Sequence, residues 1–395
     1  MIGLKNTTRH EASPRAARRS ALAVAAWLVG AALPAAAQTP PAQNATISGR
    51  VDAGLQEIDN GTTKQKRVDS GTYTASRLAL RVNEDLGGGL GALVYMEHRF
   101  NVDLGAAQSA AKFWNAGAYV GLSSADIGTL TLGRQYVPIF WPFLFADDTG
   151  PHRLHGYSAL QSVQRSNFAR VSAAASPIKA AGSLDTIGGG IYALSITSAF
   201  EDNLVVYRTP VLGGATVMLA IGAPEGYAAG SGKVFGGNVE FRKGSNYAGA
   251  GFTSKEGTVP AGGSGPSQKM SEAVFAGMYA VTTDFKVWGN LHPWKLDSVG
   301  TELKGRDWML GVSYWLPLGE LWLNYASKKI DNCNACNSKG FGMGYHYFLS
   351  KRTELYTSYA KVSNDTNSGN ALNGFTPGAL GQSVRGLVAG IVHQF

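Results

Sequence analysis

Apolar and polar residues alternate along most of this chain with the two-residue period that is typical of β-strands. In residues 46–58, Ile47, Val51 and Leu55 share one face, whereas Arg50 and Asp52 point to the other. The same alternation predicts sixteen strands, at 46–58, 77–83, 91–100, 113–122, 128–136, 203–210, 214–222, 234–242, 246–254, 272–281, 284–293, 305–316, 319–329, 339–348, 352–362 and 382–395.

The connections between these strands alternate in length. One set consists of short turns such as "EDLGGG", "KGS" and "PLG", and the other consists of longer loops at 59–72, 101–112, 137–202, 223–233, 255–271, 294–304, 330–338 and 363–381. Short periplasmic turns and long outside loops are typical of outer-membrane β-barrels. A β-sandwich would not confine its long loops to every second connection, so the pattern predicts an all-β transmembrane barrel.

The faces of the later strands fit a lipid environment. Trp308 and Leu310 share one face of their strand, and Leu321, Leu323 and Tyr325 share one face of the next. Tyrosine and tryptophan near strand ends suit the interfacial girdles of a membrane barrel. No segment after the first 37 residues has 18 continuous apolar residues, which excludes a transmembrane helix there.

The first 37 residues have the composition of an export signal. A basic stretch precedes thirteen apolar residues at 21–33, which are too few for a membrane-spanning helix. Arg18 and Arg19 lack the rest of a twin-arginine motif, so export by the Sec pathway is predicted. Residues 1–37 are thus the predicted signal peptide, and 38–395 form a single predicted barrel domain.

The charge of the chain is only mildly positive after the signal. The whole chain carries +8, and the signal contributes +4 through five basic residues and one Glu, so the other +4 belongs to residues 38–395. No clustered basic run of the kind that marks nucleic-acid binding is present. Nucleic acid is therefore not an expected partner.

Four quoted stretches resemble the Gram-negative general porins, and most closely a proteobacterial subgroup. They are "ISGRVDAG", "SRLALRVNEDLGGGLGALVYME", "AYVGLSSADIGTLTLGRQY" and the terminal "GIVHQF". The motifs lie in the first hundred residues after the signal and in the last strand, while the middle matches by strand rhythm. The terminal Phe395 resembles the signal that is read by the barrel-assembly machinery.

The resemblance implies a sixteen-stranded antiparallel barrel in the outer membrane, assembled as a homotrimer around water-filled channels for passive diffusion. It implies no cofactor and no metal. The implied partners are lipopolysaccharide and other outer-membrane lipid, the barrel-assembly machinery and small anionic or neutral solutes. The third external loop is expected to fold into the lumen, where arginines on the wall face carboxylates on the loop.

Carried over to this chain, the resemblance assigns the constriction residues. Its basic wall would contain Arg50, Arg77, Arg81, Arg99, Arg134 and Arg208, and the loop acids would be Asp147 and Asp148. An arginine on the lipid face near the bilayer midplane costs about 2–4 kcal/mol, which independently places Arg50, Arg77 and Arg81 inside.

Arg134 is the exception to this agreement. It is in phase with Leu130 and Leu132, which predicts that it points outward. It needs a β-bulge, or a position beyond the membrane edge, to reach the lumen.

The balance of charges predicts mild anion selectivity. Clusters of Lys and Arg favour anions, and low-dielectric walls focus their field. At least three arginines would face two loop carboxylates. The alternative is near-neutral selectivity, if Asp52, Glu97 and the loop acids compensate.

The long connection 137–202 contains an unusual aromatic run of Phe140, Trp141, Phe143 and Phe145. It could select aromatic or amphiphilic solutes, which would make the chain a substrate-selective porin. The favoured interpretation is that these rings pack the root of the loop against the inner wall, because a loop in a lumen needs an anchor.

Two further clusters have candidate chemistry. Cys333 and Cys336 could form a loop disulfide, a metal site or a redox pair, and the disulfide is favoured because no second cysteine pair completes a metal site. Asp147, Asp148 and the histidines at 152 and 155 are irregularly spaced, so pore lining and hydrogen bonding are favoured over metal binding.

Two other function classes fit less well. A barrel hydrolase would need a nucleophile, a base and an orienting acid. Histidines are few and no "GxSxG" elbow is present, so no enzyme activity is predicted. An adhesin or receptor is disfavoured because most external loops are only moderate in length.

Overall fold

A computed structural model describes residues 43–146, 169–172, 185–187, 190–193, 199–222, 233–258, 267–298, 301–372 and 375–395. The predicted signal peptide and the predicted loop acids Asp147 and Asp148 therefore lie outside the described residues. Within the described part of the chain, no helix is both long enough and apolar enough to cross a membrane.

Sixteen strands form the wall of a barrel. They are β1 (Gln43–Asp59), β3 (Arg77–Gly87), β4 (Leu90–Asn101), β6 (Gly117–Ser124), β7 (Gly128–Tyr136), β11 (Phe200–Arg208), β12 (Ala215–Gly222), β13 (Lys233–Lys243), β14 (Asn246–Thr258), β15 (Ser267–Ala280), β16 (Phe285–Ser298), β17 (Thr301–Leu316), β18 (Gly319–Ile330), β19 (Ser338–Phe348), β20 (Thr353–Asn364) and β21 (Val384–Gln394).

The remaining described elements are short. They are β2 (Lys64–Ser70), which pairs with β1, β5 (Ala106–Ala107), which pairs with β4, a small separate sheet of β8 (Ala169–Ser172), β9 (Asp185–Ile187) and β10 (Gly190–Ala193), and a helix α1 (Phe140–Phe145).

The wall is a closed antiparallel barrel. Each wall strand pairs with the next along the chain, and β1 closes the ring by pairing with both β21 and β3. The closure continues to the last residue, because the backbones of Gly49 and Phe395 exchange hydrogen bonds of 2.9 and 3.1 Å. The predicted sixteen-stranded antiparallel barrel is confirmed.

The two faces of the wall are inverted relative to those of a soluble protein. On β1, Leu55 is 69% exposed on the outer face, while Asp52 is 0% exposed on the inner face. Leu310 on β17 is likewise exposed, and its neighbour Asp307 is buried inside. Apolar side chains outside and polar side chains inside are the arrangement that a lipid-embedded barrel requires.

The two ends of the barrel differ in their connections. At the end that we call the short-turn end, strands are joined by two to six residues, as at 88–89 between β3 and β4 and at 209–214 between β11 and β12. Three consecutive glycines, Gly87–Gly89, have positive φ angles of 81, 62 and 78° there, a conformation that glycine adopts without steric cost. The opposite, long-loop end carries the longer connections, except between β16 and β17. There the predicted loop 294–304 was wrong, because the two strands pair as far as Ser298 and Thr301 and only two residues separate them.

Five described strands, β2, β5 and β8 to β10, are not predicted by the sequence pattern, and β2 is the longest of them. β2 lies in the connection predicted as the loop 59–72, and its sequence "KQKRVDS" has no apolar alternation. It forms because β1 is 17 residues long and β3 begins only at Arg77. The second half of β1 therefore pairs with β2, from Ala53↔Ser70 to Asp59↔Lys64, which satisfies its backbone groups.

Candidate pore and its arginine wall

The chain turns into the barrel after β7. Pro138 cannot continue the ladder, and α1 follows it within two residues. The amide nitrogen of Asn238, on the inner face of β13, donates to the carbonyl oxygen of Pro138 at 2.7 Å. A Cβ added to Gly251 of β14 would lie only 3.1 Å from the Cα of Ile139, so a glycine in the wall permits this close approach.

The aromatic rings of α1 mostly pack against the wall. Phe140 and Phe143 are 2% and 4% exposed. Phe143 contacts the ring of His292 on β16, with 4.8 Å between ring centroids, and the guanidinium of Arg242 lies 3.8 Å above the ring of Phe145. Of the four aromatic residues singled out from sequence, only Trp141 lines the cavity described next.

That cavity is a part of the lumen with a volume of about 550 Å³. It is enclosed mainly by β1, β3, β4, β6, β7 and β11, with Trp141 on the side of α1. The charged side chains among its described lining residues are four arginines and one glutamate, namely Arg50, Arg77, Arg81, Arg208 and Glu97.

Arg50 and Arg77 lie directly opposite each other on β1 and β3. Both guanidinium groups donate to the hydroxyl of Thr74, at 3.1 Å from Arg50 and 2.9 Å from Arg77. Thr74 belongs to the segment 71–76 that links β2 to β3 and that is largely buried. One neutral oxygen thus holds two like charges side by side at the cavity wall.

The segment that carries Thr74 is fixed by Asp52. The carboxylate of Asp52 accepts hydrogen bonds from the backbone N–H groups of Tyr73 and Thr74, at 2.9 and 2.6 Å. It also accepts one from the hydroxyl of Tyr356 on β20, at 2.6 Å. Asp52 is therefore used in structure and does not line the cavity.

Glu97 is the one acidic residue among the described lining residues, and basic groups surround it. Its carboxylate accepts a hydrogen bond from Nε of Arg99 at 2.8 Å and lies 3.7 Å from a guanidinium nitrogen of Arg77. The hydroxyl of Tyr95 donates to it at 2.5 Å. The negative charge of Glu97 is therefore largely neutralised locally, and the wall keeps a positive balance.

The other predicted arginines occupy different positions. Arg81 is exposed to the lumen, with its guanidinium 5.3 Å from the centroid of the Tyr95 ring. Arg208 lies opposite Thr129, near the short-turn end. Arg99 is buried behind the cavity surface, where it donates to Glu97 and, at 2.6 Å, to the hydroxyl of Tyr136. The part of the wall that lines this cavity, on β1, β3 and β11, is therefore basic.

The structure does not bring Arg134 to this cavity. Thr131 and Gln135 of β7 line it, and Arg134 lies on the opposite face, as its phase predicts. Its guanidinium donates to the carboxylate of Asp202 and to the carbonyl of Asn115, both at 2.8 Å. A register shift does occur here, but it lies on β11 between residues 201 and 204, so it leaves the phase of β7 unchanged.

The remaining predicted site residues lie elsewhere. Cys333 and Cys336 are joined by a disulfide in the connection between β18 and β19. Asp147, Asp148 and the two histidines near them lie outside the described residues, so their role at a constriction stays a prediction.

The groups that position the arginines are not recognisable in the sequence pattern. Thr74, Tyr95 and Tyr136 carry no motif, and each acts on a residue of another strand or loop. The register of β3 on β4, in which Arg77 lies opposite Arg99 and Ala79 opposite Glu97, is the signal that could have placed Glu97 beside the arginines.

Comparisons with known proteins agree with this architecture. A family model described as Gram-negative porin matches residues 21–367. The outer membrane porin protein 32 of Delftia acidovorans is 29% identical over 388 residues, covering 93% of this chain and 99% of that protein.

Solved structures are similar as well. An anion-selective porin from Comamonas acidovorans has 26% sequence identity and a TM-score of 0.73, covering 90% of this chain and all of that one. The outer-membrane expressed OmpT of Vibrio cholerae has 14% identity and a TM-score of 0.61, covering 91% and 99% of the two chains, and supports the fold alone.

Proposed function

Because this chain belongs to the Gram-negative porin family and lies in the outer membrane, we propose that it is a passive channel that favours small anions. Neutral solutes also pass through it. The observation that carries the proposal is the charge of the described cavity wall, four arginines against one glutamate that is itself paired. Fixed cationic groups in a low-dielectric channel lower the energy of an entering anion and raise that of a cation.

The similar porin from Comamonas acidovorans is described as anion-selective, which supports the same direction. The inferred preference is mild, because threonine, glutamine and tyrosine side chains also line the cavity and Glu97 is present. In this proposal the lumen contains no catalytic centre, and solutes cross it unchanged.

The alternative of a channel selective for aromatic solutes receives less support. Such a channel needs a row of exposed rings along the path. Phe140 and Phe143 are buried against the wall, and Phe145 lies under the guanidinium of Arg242, so Trp141 alone of the four faces the cavity.

The proposal includes the assembly of the protein. Residues 1–37 are removed on export by the Sec pathway, and the barrel of residues 38–395 is inserted by the barrel-assembly machinery through its last strand and Phe395. The barrel then forms a homotrimer surrounded by lipopolysaccharide and other outer-membrane lipid. The outward side chains Leu387, Ile391 and Phe395 are exposed on that last strand, as such a signal requires.

The direct test is planar-bilayer recording of the purified protein across a KCl gradient. We expect stepwise conductance and a reversal potential displaced toward that of chloride. Replacing Arg77 and Arg208 together by glutamine should move the reversal potential toward zero or beyond, because two cationic groups leave the wall. Arg385→Gln is the matched control, since Arg385 is exposed outside the barrel and paired with Asp59. A cation-directed potential in the wild type would contradict the proposal.

A further inference from the structure

The disulfide of Cys333 and Cys336 lies at the outer end of the barrel. It belongs to residues 331–337, which connect β18 to β19 at the long-loop end and which we call the disulfide loop. Long loops face the outside in an outer-membrane barrel. Cys333 is partly exposed, whereas Cys336 is fully buried. Cys333 is therefore the half of the bond that a small molecule in the medium can reach.

The bond has a local effect. A disulfide stabilises a whole fold by constraining the unfolded chain, and this effect grows with the length of the loop that the bond closes. Cys333 and Cys336 are only three positions apart, so the gain for the whole barrel is small. The main consequence of the bond is the backbone conformation of Asn334 and Ala335, which it encloses.

Ala335 has an unusual backbone conformation. Its φ angle is 54°, in the left-handed region that a Cβ atom makes unfavourable. Three non-glycine residues have a positive φ in the described part of the chain, and the other two, Asn203 and Asn332, are asparagines, which tolerate this region better. We attribute the conformation of Ala335 to the short ring that the disulfide closes around it.

The orientation of this ring matters for the connection between β20 and β21. We call its described residues, 365–372 and 375–383, the last loop. The backbone N–H of Asn367 donates to the carbonyl oxygen of Ala335 at 2.8 Å, and the side-chain amide of Asn367 donates to the carbonyl oxygen of Asn334 at 2.9 Å. Both acceptors lie inside the ring, so the disulfide orients the two groups that hold Asn367.

The last loop turns into the barrel. Leu372 is fully buried in an apolar cluster that also contains Ile58 and Val384, which lie on the inner faces of β1 and β21. On its other side, the backbone N–H of Gly378 donates to the carbonyl oxygen of Asn60 at 3.0 Å. The last loop therefore covers part of the inner wall at the outer mouth of the channel, and its mobility affects the ions that enter there.

We propose that this disulfide is a redox-sensitive switch that a small thiol in the medium opens. A thiolate attacks the sulfur of Cys333 and forms a mixed disulfide, and the sulfur of Cys336 leaves as a thiolate that takes a proton from water. A second thiol attacks the mixed disulfide, so two thiol molecules are oxidised to one disulfide and the protein gains two cysteine thiols. The carbonyl oxygen of Asn334, 3.3 Å from the sulfur of Cys336, can accept a hydrogen bond from the released thiol.

Reduction loosens the last loop. Without the ring, Ala335 returns to a negative φ, which turns its carbonyl oxygen away from Asn367. A second contact, between Asn337 and Asp365, lies outside the ring and remains, so the last loop becomes more mobile without leaving the wall. The switch is independent of the proposed anion preference, because the arginines of the cavity wall are unchanged.

The test compares the purified barrel before and after incubation with 2-mercaptoethanol. Alkylation with iodoacetamide counts the free thiols, and hydrogen exchange followed by mass spectrometry reports the protection of the last loop. We expect two thiols per chain after incubation and at least tenfold faster exchange in the peptide that contains Asn367 and Ser368. Bilayer recording should show larger fluctuations of the open-channel current at an unchanged reversal potential.

Two variants separate the chemistry of the bond from its mechanical effect. Ala335→Gly is the matched control, because glycine adopts a positive φ at no steric cost. The thiol should still reduce its disulfide, but the last loop should keep its protection. Cys333→Ser combined with Cys336→Ser lacks the bond, so its last loop should exchange as fast as that of the reduced wild type and should not respond to the thiol.

Three outcomes would overturn the inference. Absence of free thiols after incubation of the folded barrel would show that the bond is inert toward small thiols. Reduction without faster exchange would show that the bond does not hold the last loop. Equal acceleration in the wild type and in Ala335→Gly would show that the conformation of Ala335 does not transmit the effect.

Discussion

The hydroxyl of Tyr356 donates a hydrogen bond to the carboxylate of Asp52 at 2.6 Å, across 304 residues of sequence. The same carboxylate accepts the backbone N–H groups of Tyr73 and Thr74. The hydroxyl of Thr74, whose backbone Asp52 holds, accepts hydrogen bonds from the guanidinium groups of Arg50 and Arg77. A group that does not line the cavity thus positions two of the arginines that do.

Replacing Asp52 by asparagine tests this arrangement. Asparagine keeps the shape but can accept on one oxygen only. The N–H groups of Tyr73 and Thr74 share one carboxylate oxygen and the Tyr356 hydroxyl uses the other, so either the two N–H groups or the hydroxyl loses its acceptor. We expect the free energy of unfolding to fall by about 1–3 kcal/mol and the open-channel current to become noisier. Denaturant unfolding followed by tryptophan fluorescence measures the first, and bilayer recording the second.

Tyr356→Phe is the control for Asp52→Asn, because it removes one of the same hydrogen bonds and keeps the carboxylate. Tyr356→Phe should lower the free energy of unfolding by less than Asp52→Asn does, about 0.5–1.5 kcal/mol. An Asp52→Asn protein as stable as the wild type would show that the carboxylate does not hold the segment.

Glu97→Gln should increase the anion preference of the channel. It removes the one acidic side chain among the described lining residues, so the reversal potential should move further toward that of chloride. The change also leaves Arg99 buried without its carboxylate, which costs about 3–5 kcal/mol of stability.

A second variant tests whether both effects come from the pair of Glu97 and Arg99. Combining Glu97→Gln with Arg99→Met removes the two paired charges together, so most of the lost stability should be recovered and the reversal potential should return toward that of the wild type. An unchanged reversal potential in the single variant Glu97→Gln would mean that Glu97 does not act on permeating ions.

Arg134→Gln should leave selectivity unchanged. The guanidinium lies on the face opposite to the cavity-lining residues Thr131 and Gln135 and pairs with the partly exposed Asp202. Loss of such a pair costs at most about 1 kcal/mol. Arg77→Gln, the same substitution on the cavity wall, provides the comparison in KCl-gradient recordings. If Arg134→Gln shifts the reversal potential as much as Arg77→Gln does, Arg134 acts on permeating ions and belongs to the constriction.

Helix α1 both lines the cavity, through Trp141, and packs against the wall, through Phe143, and substitutions of these two residues should have different effects. Trp141→Ala removes a ring that lines the cavity, so the single-channel conductance should rise with little loss of stability. Phe143→Ala removes a buried ring and should cost about 3–5 kcal/mol in the free energy of unfolding. The opposite assignment of the two effects would contradict the packing role of Phe143.

The barrel itself could be predicted from the sequence because a membrane imposes simple rules on each strand. Lipid contacts one face and water the other, so Leu55 and Asp52 had to fall in opposite phase, and short glycine turns such as Gly87–Gly89 had to join the strands at one end. β2 was not predicted because its own sequence lacks the alternation of a strand. It is extended because it pairs with the long second half of β1.

The inward phase of Arg50, Arg77 and Arg81 was also determined by the sequence, since an arginine facing lipid is costly. Only the tertiary structure decided what each arginine does there. Arg99 is buried against Glu97, Arg50 and Arg77 share Thr74, and Arg134 pairs with Asp202 outside the cavity. Alternation is a local property that one strand expresses alone, whereas these partners come from distant segments that meet only when the barrel closes.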